Sequence, residues 1–84
     1  MKHARSDYDR IQDPAGLIPD DEPVFLIRAK DAVSGDAVRA WADLHDKAGG
    51  DPMMSYAARR HALLMDTWVE KQLADAPNGT LEGR

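Results

Sequence analysis

At 84 residues the chain holds one domain, in the size range where a single interior is marginal and small folds lean on disulfides, metals or self-association. It has no cysteine, which removes disulfides, thiolate chemistry and cysteine zinc sites and fits a reducing compartment, with cytoplasm as the expected location. The net charge of −4 argues against non-specific duplex DNA binding, which runs on clustered Lys and Arg. No apolar stretch approaches the roughly 20 residues needed to span a bilayer, and Met1–Arg5 leads into Ser6-Asp7-Tyr8-Asp9 rather than an apolar signal segment, so neither secretion nor a membrane is expected.

Residues 1–19 mix charges with Pro14, Gly16 and Pro19, show no period, and offer only Tyr8, Ile11, Leu17 and Ile18 as anchors. They read as an extended arm, with Leu17-Ile18 suited to a groove on the same or a neighbouring chain. The densest apolar run, Val24 to Ile27, follows the acidic leader Asp20-Asp21-Glu22-Pro23. Asp20 or Asp21 can cap a helix, Pro23 suits a first turn, and Arg28 and Lys30 fall where the helix dipole favours cations. With no other convincing strand in the sequence, this predicts a short helix over 22–32; a strand pairing across a dimer is the alternative.

The next segment has clearer punctuation. Ser34 is a natural N-cap, Val33 and Val38 take hydrophobic-staple positions, and Gly49-Gly50 supplies a left-handed stop, predicting a helix over 35–48. Its apolar stripe is Ala37, Val38, Trp41, Leu44, His45 and Ala48, with Arg39, Asp43, Asp46 and Lys47 facing outward. Asp51-Pro52 restarts a helix, which the pattern carries over 52–74 before Pro77-Asn78-Gly79. Its stripe is Met54, Ala57, Ala58, His61, Leu64, Met65, Trp68 and Gln72, with Arg59, Asp66, Glu70 and Lys71 opposite.

The fold expected is therefore all-α: an arm at 1–19, a helical domain at 20–76 built from the 22–32 helix and an antiparallel hairpin, and a flexible tail at 77–84. The second hairpin helix overshoots the first by roughly 10 residues, or about 15 Å, exposing Met65, Trp68 and Leu73. Either the 22–32 helix or another subunit covers that overhang. A lone copy has too little interior to hide Phe25, Trp41 and Trp68 together, so a homo-oligomer is expected.

No residue set demands a reaction. His45 and His61 lie on stripes of facing helices, but no carboxylate joins them at a known metal spacing, and packing is the simpler reading. The acidic residues Asp7, Asp9, Asp13, Asp20, Asp21 and Glu22 lack the alternation and glycine of a calcium loop. No serine sits on a nucleophile elbow, and Gly49-Gly50 is explained by capping. A non-enzymatic protein needing no cofactor and no metal is the expectation. The basic residues carry more information: Arg59-Arg60-His61 fall within a few turns of Tyr56 and Trp68, Arg28 and Lys30 precede them, and Trp41 sits on the partner helix. Arginines fork phosphate while rings stack on bases, so Arg28, Lys30, Trp41, Tyr56, Arg59, Arg60, His61 and Trp68 are the candidate ligand-binding residues. The competing reading is a solvated helix face on which Arg59 pairs with distant acids.

Asp13-Pro14, Gly16, the run Ile18 to Ala29, Trp41-Ala42, Gly50-Asp51-Pro52 and His61-Ala62 resemble small proteins encoded by tailed phages and prophages with a DEPVFLxRA-type segment. The resemblance spans about Tyr8 to Glu70 and transfers no individual site residue. It implies a setting in the host-cell cytoplasm and a counter-defence role, exerted by sequestering a cyclic nucleotide or related anionic signal or by gripping a host defence protein. A phage assembly accessory is a variant of the protein-binding alternative.

Overall fold

The computed structural model describes residues 1–5, 7 and 13–75. Tyr8, Ile11 and the 77–84 tail lie outside the described residues. Regular structure is mostly helical: β1 (Lys2–His3), β2 (Pro23–Val24), α1 (Ser34–Lys47) and α2 (Pro52–Asp66). Ile27–Ala74 forms one compact unit, and Met1–Leu26 with Asp75 belongs to another.

In the N-terminal unit, β1 and β2 pair in parallel, Lys2 opposite Pro23 and His3 opposite Val24. The Lys2 and Ala4 amides donate to the Glu22 and Val24 carbonyls at 2.7 and 3.2 Å. This corrects the helix expected over 22–32. Pro23 has no amide to give, but the pairing asks the neighbouring carbonyls only to accept. The partner strand, Lys2–His3, is two residues long and shows no alternation, so no periodic signal announced it. The pairing is within one chain, not across a dimer. The arm is extended only in part: the Asp13 carboxylate accepts from the Leu17 and Ile18 amides at 3.1 and 3.0 Å, closing a turn in which Gly16 takes φ +63°.

In the second unit, α1 and α2 pack on each other. Arg39, early in α1, reaches Asp66 at the end of α2, while Asp43 and Asp46, late in α1, reach Arg59 in α2, so the chain doubles back. The connection is a Schellman stop: the Gly50 amide donates to the His45 carbonyl, the Gly49 amide to Asp46, and Gly49 takes φ +82°. Asp51 then caps α2, its carboxylate accepting from the Met53 amide at 2.9 Å with Pro52 in the first turn.

Two expected boundaries change. Val33, not Ser34, is the N-cap of α1 and caps with no side-chain bond; the Ser34 hydroxyl is buried and donates back to the Ala29 carbonyl at 3.4 Å. The second helix stops at Asp66 rather than near 74. There the Thr67 hydroxyl takes the Leu64 carbonyl at 2.7 Å, and Lys71 Nζ takes the Met65 and Ala29 carbonyls, each at 2.6 Å. The chain beyond pairs instead with the segment before α1: the Gln72 amide donates to Lys30 and the Ala32 amide to Gln72. At 14 and 15 residues the helices match in length, so the expected 15 Å overhang does not exist and Met65 is buried.

The packed faces are also not the expected ones. The buried helical residues are Ser34, Gly35 and Ala42 on α1 and Ser55, Ala62 and Met65 on α2. Leu44, Met54, Leu64, Trp41 and Trp68 point away from the seam and are exposed. Arg39, Arg59 and Asp66, expected to face outward, lie across it. Small residues let two helix backbones approach closely, and the charged side chains close the seam by bonding over it. Phe25, Trp41 and Trp68 are 74%, 46% and 54% exposed in the single chain.

Candidate functional site

The seam is held by two charged clasps. Near the open end, Arg39 donates to Asp66 at 2.8 Å and to Asp36 at 2.9 Å. Near the turn, Arg59 donates to Asp43 and Asp46 at 2.8 and 2.7 Å, and the buried Ser55 hydroxyl donates a short hydrogen bond to Asp46. Hydrogen bonding to Ser55 and then to Arg59 holds the Asp46 carboxyl below the usual carboxylate range. Arg39 does the same for Asp66. Both guanidiniums are correspondingly held in their charged form. Arg59, a candidate ligand contact, is thus engaged by two carboxylates of its own chain, as the competing reading has it.

Arg60 is different. No carboxylate among the described residues lies within ion-pair distance of it; its guanidinium sits 5.8 Å from the centroid of the Tyr56 ring one turn earlier and donates to the phenol oxygen at 3.4 Å. Tyr56 and Arg60 are exposed, so the pair presents a cation and a ring face to solvent together.

A second aromatic pair lies on α1. The Trp41 ring stacks on His45, centroids 4.7 Å apart and planes 19° from parallel, with the His45 Nε2 buried and without a hydrogen-bond partner among the described residues. The i, i+4 spacing of Trp41 and His45 is the signal in the sequence that the imidazole supports that ring. Lys30 Nζ lies 3.9 Å from Glu70, and Arg28 and His61 are exposed.

The candidate set does not converge on one surface of a single chain. At 100° per residue, with the chain doubling back, Trp41 and His61 fall on one flank of the hairpin, Tyr56 and Arg59 on the other, and Arg60 beyond Tyr56 toward the back of α2. Trp68 follows the C-cap of α2. Among the described residues no group of three His, Asp or Glu side chains is placed to hold a metal ion, and no helix is long and apolar enough to cross a membrane. No protein-family model, curated protein or solved structure matches this chain.

Proposed function

We propose that this chain is a non-enzymatic binding protein that works as an assembly of copies and captures an anionic, ring-bearing ligand of the nucleotide class. The observation that carries the reading is the Arg60–Tyr56 pair: in a chain of net charge −4 whose other helical arginines are clasped by carboxylates, this guanidinium is held over a ring and left open. Such a pair meets both halves of a nucleotide, the guanidinium taking phosphate oxygens and the ring taking a base. Arg28 and Lys30 supply further positive charge. An exposed pair on one helix face does not enclose a ligand by itself, so capture calls on neighbouring copies. Together with the phage-type Asp20–Arg28 segment, this supports sequestration of a cyclic nucleotide or related signal in the cytoplasm of a phage-infected host, as a counter-defence device.

Calorimetry of the full chain against a panel of cyclic di- and trinucleotides and cyclic ADP-ribose variants tests the reading. Binding by at least one probe, weakened roughly tenfold or more by Tyr56→Leu, is expected. Silence across the panel overturns it. A second reading, a protein-binding inhibitor or adaptor directed at a host or phage protein, is favoured by the exposed Phe25 and Leu17 of the N-terminal unit. A stoichiometric protein retained from host lysate by the wild-type chain and lost with Phe25→Ser supports that alternative.

A further inference from the structure

The charges of the hairpin are sorted by side. The seam and one flank carry Asp36, Arg39, Asp43, Asp46, Arg59 and Asp66, bonded to one another as described. By helical position the other flank is built from Trp41, Leu44 and Ala48 of α1 and Met54, Ala57 and Leu64 of α2, with His45 and His61 between them. With its histidines neutral, that side carries no formal charge of its own, and the nearest charges, Arg60 and Lys47, only border it beside Leu64 and Leu44. All six of these apolar residues are exposed in the single chain.

This distribution is costly for an isolated molecule. Among the described residues the buried apolar side chains are Ala42, Ala62 and Met65, and the largest fully buried side chains are serines. Alanines and one methionine remove little apolar area, while two leucines, a methionine and a tryptophan stay in water on a single face. We infer that this uncharged flank is the surface on which a second copy of the chain packs, face to face, as a condition of stable folding. The proposal deepens the assembly reading above by assigning its interface.

Two arguments select a second copy as the occupant. The first is charge: copies of net charge −4 repel, and the flank without formal charge is where two of them meet without burying like charges, whereas an acidic or basic partner would find nothing opposite to pair with. The second is supply. A chain that lacks a sufficient interior of its own needs its missing contacts whenever it is folded, and another copy is the one partner present wherever the chain is. A symmetric contact also doubles each apolar residue, since Trp41 and Leu64 of one copy meet the equivalent flank of the other.

Light scattering at high micromolar concentration, on the wild-type chain and on three single variants, tests the assignment. The wild type is expected at two or more times the single-chain mass. Leu44→Glu and Leu64→Glu each place a charge on the uncharged flank and are expected to lower the mass to that of one chain. Leu63→Glu places it on the opposite flank, where Leu63 is likewise exposed, and is expected to leave the mass unchanged. A single-chain mass for the wild type, or dissociation by Leu63→Glu with Leu44→Glu still assembled, overturns the inference. Where circular dichroism shows the glutamate variants unfolded, nitroxides on Ala57→Cys and Ala40→Cys decide instead: an immobilised label at 57 with a mobile one at 40 supports the interface, and equal mobility overturns it. The readouts separate the two readings. A monomer that binds a nucleotide probe sinks this inference and the assembly part of the proposed function while leaving nucleotide capture standing, and an assembly that binds none sinks the ligand reading alone.

Discussion

Gly50 sits against the imidazole of His45, so closely that a Cβ on residue 50 would overlap the ring atoms Nδ1, Cε1 and Nε2. The ring is not free to swing away, because its other side stacks on Trp41. The two glycines of the turn therefore serve different ends: Gly49 supplies a left-handed backbone with open space where its Cβ would be, and Gly50 supplies room for His45.

Gly50→Ala is expected to destabilise the fold by about 1–3 kcal/mol through overpacking. Gly49→Ala is expected to cost about 1 kcal/mol through its backbone alone. Urea unfolding of each, alone and combined with His45→Ala, separates the causes. Removing the imidazole should recover most of the Gly50→Ala loss and none of the Gly49→Ala loss; equal recovery at both positions would show that the ring is not what Gly50 accommodates.

The clasps predict an acid-labile seam. Asp46 and Asp66 are both held below the ordinary carboxylate value, by Ser55 then Arg59 and by Arg39 respectively. The unfolded chain therefore binds more protons than the folded one as pH falls below about 4, so stability rises with pH through that window. Their contribution is fully present above the unfolded value and is lost as pH drops through the lower, folded values. Urea midpoints across the acid range should fall steeply for the wild type and less steeply for Asp66→Asn. Because these groups are open to solvent, added salt should flatten the wild-type curve as well.

The turn chemistry of this chain was legible and the packing was not. Asp51-Pro52 and Gly49-Gly50 are local instructions, read from residues whose own backbones obey them, and both stand where the sequence placed them. The apolar stripes of α1 and α2 were correctly periodic, but periodicity identifies a face that avoids water without saying what will cover it. Here close approach of the helices selected Gly35 and Ala42, spaced i, i+7, against Ser55 and Ala62, also spaced i, i+7, and left much of the stripes exposed. That paired spacing of small residues was the available clue. Nothing local marked the strand at Pro23–Val24, because its partner is Lys2–His3, about twenty residues away and without alternation. The end of α2 was hidden for a similar reason: Lys71 and Gln72 continue a helical pattern, yet their bonds go to Ala29, Lys30 and Ala32. Of the candidate ligand contacts, the Arg60–Tyr56 pair followed from i, i+4 spacing, whereas the capture of Arg59 by Asp43 and Asp46 depends on a tertiary pairing no single helix reveals.

Lys71 joins the two ends of the helical unit by donating to carbonyls on both, Met65 at the close of α2 and Ala29 before α1. Lys71→Met keeps the stem and removes the donor, and the freed carbonyls are accessible enough for water to compensate in part, so a global loss of about 1 kcal/mol is expected. The local effect should be larger than the global one. Hydrogen exchange at the Ala32 and Gln72 amides, which bridge the same two segments, should accelerate well beyond that at Ala42 or Ala62 in the helices. Uniform acceleration at all four would show that Lys71 supports the whole unit and not this junction.

The seam itself makes the sharpest contrast. Ala42 and Ala62 have no exposed surface and sit where the helices approach closely, so Ala62→Leu must part α1 from α2 and stretch the clasps on either side of it. A loss of about 1–3 kcal/mol is expected, although leucine is the better solvent-avoiding residue and a helix former second only to alanine. Leu64→Ala, two residues on, removes a side chain that is 66% exposed in the single chain. If that flank stayed in water the change would be nearly silent, whereas covered by a second copy it should cost about 2 kcal/mol or more, with a melting temperature that depends on protein concentration. Thermal unfolding of both variants at two concentrations reads these effects separately: the Ala62→Leu loss arises inside one chain, while the Leu64→Ala loss should come with weakened assembly, and a silent Leu64→Ala would leave the uncharged flank without its partner.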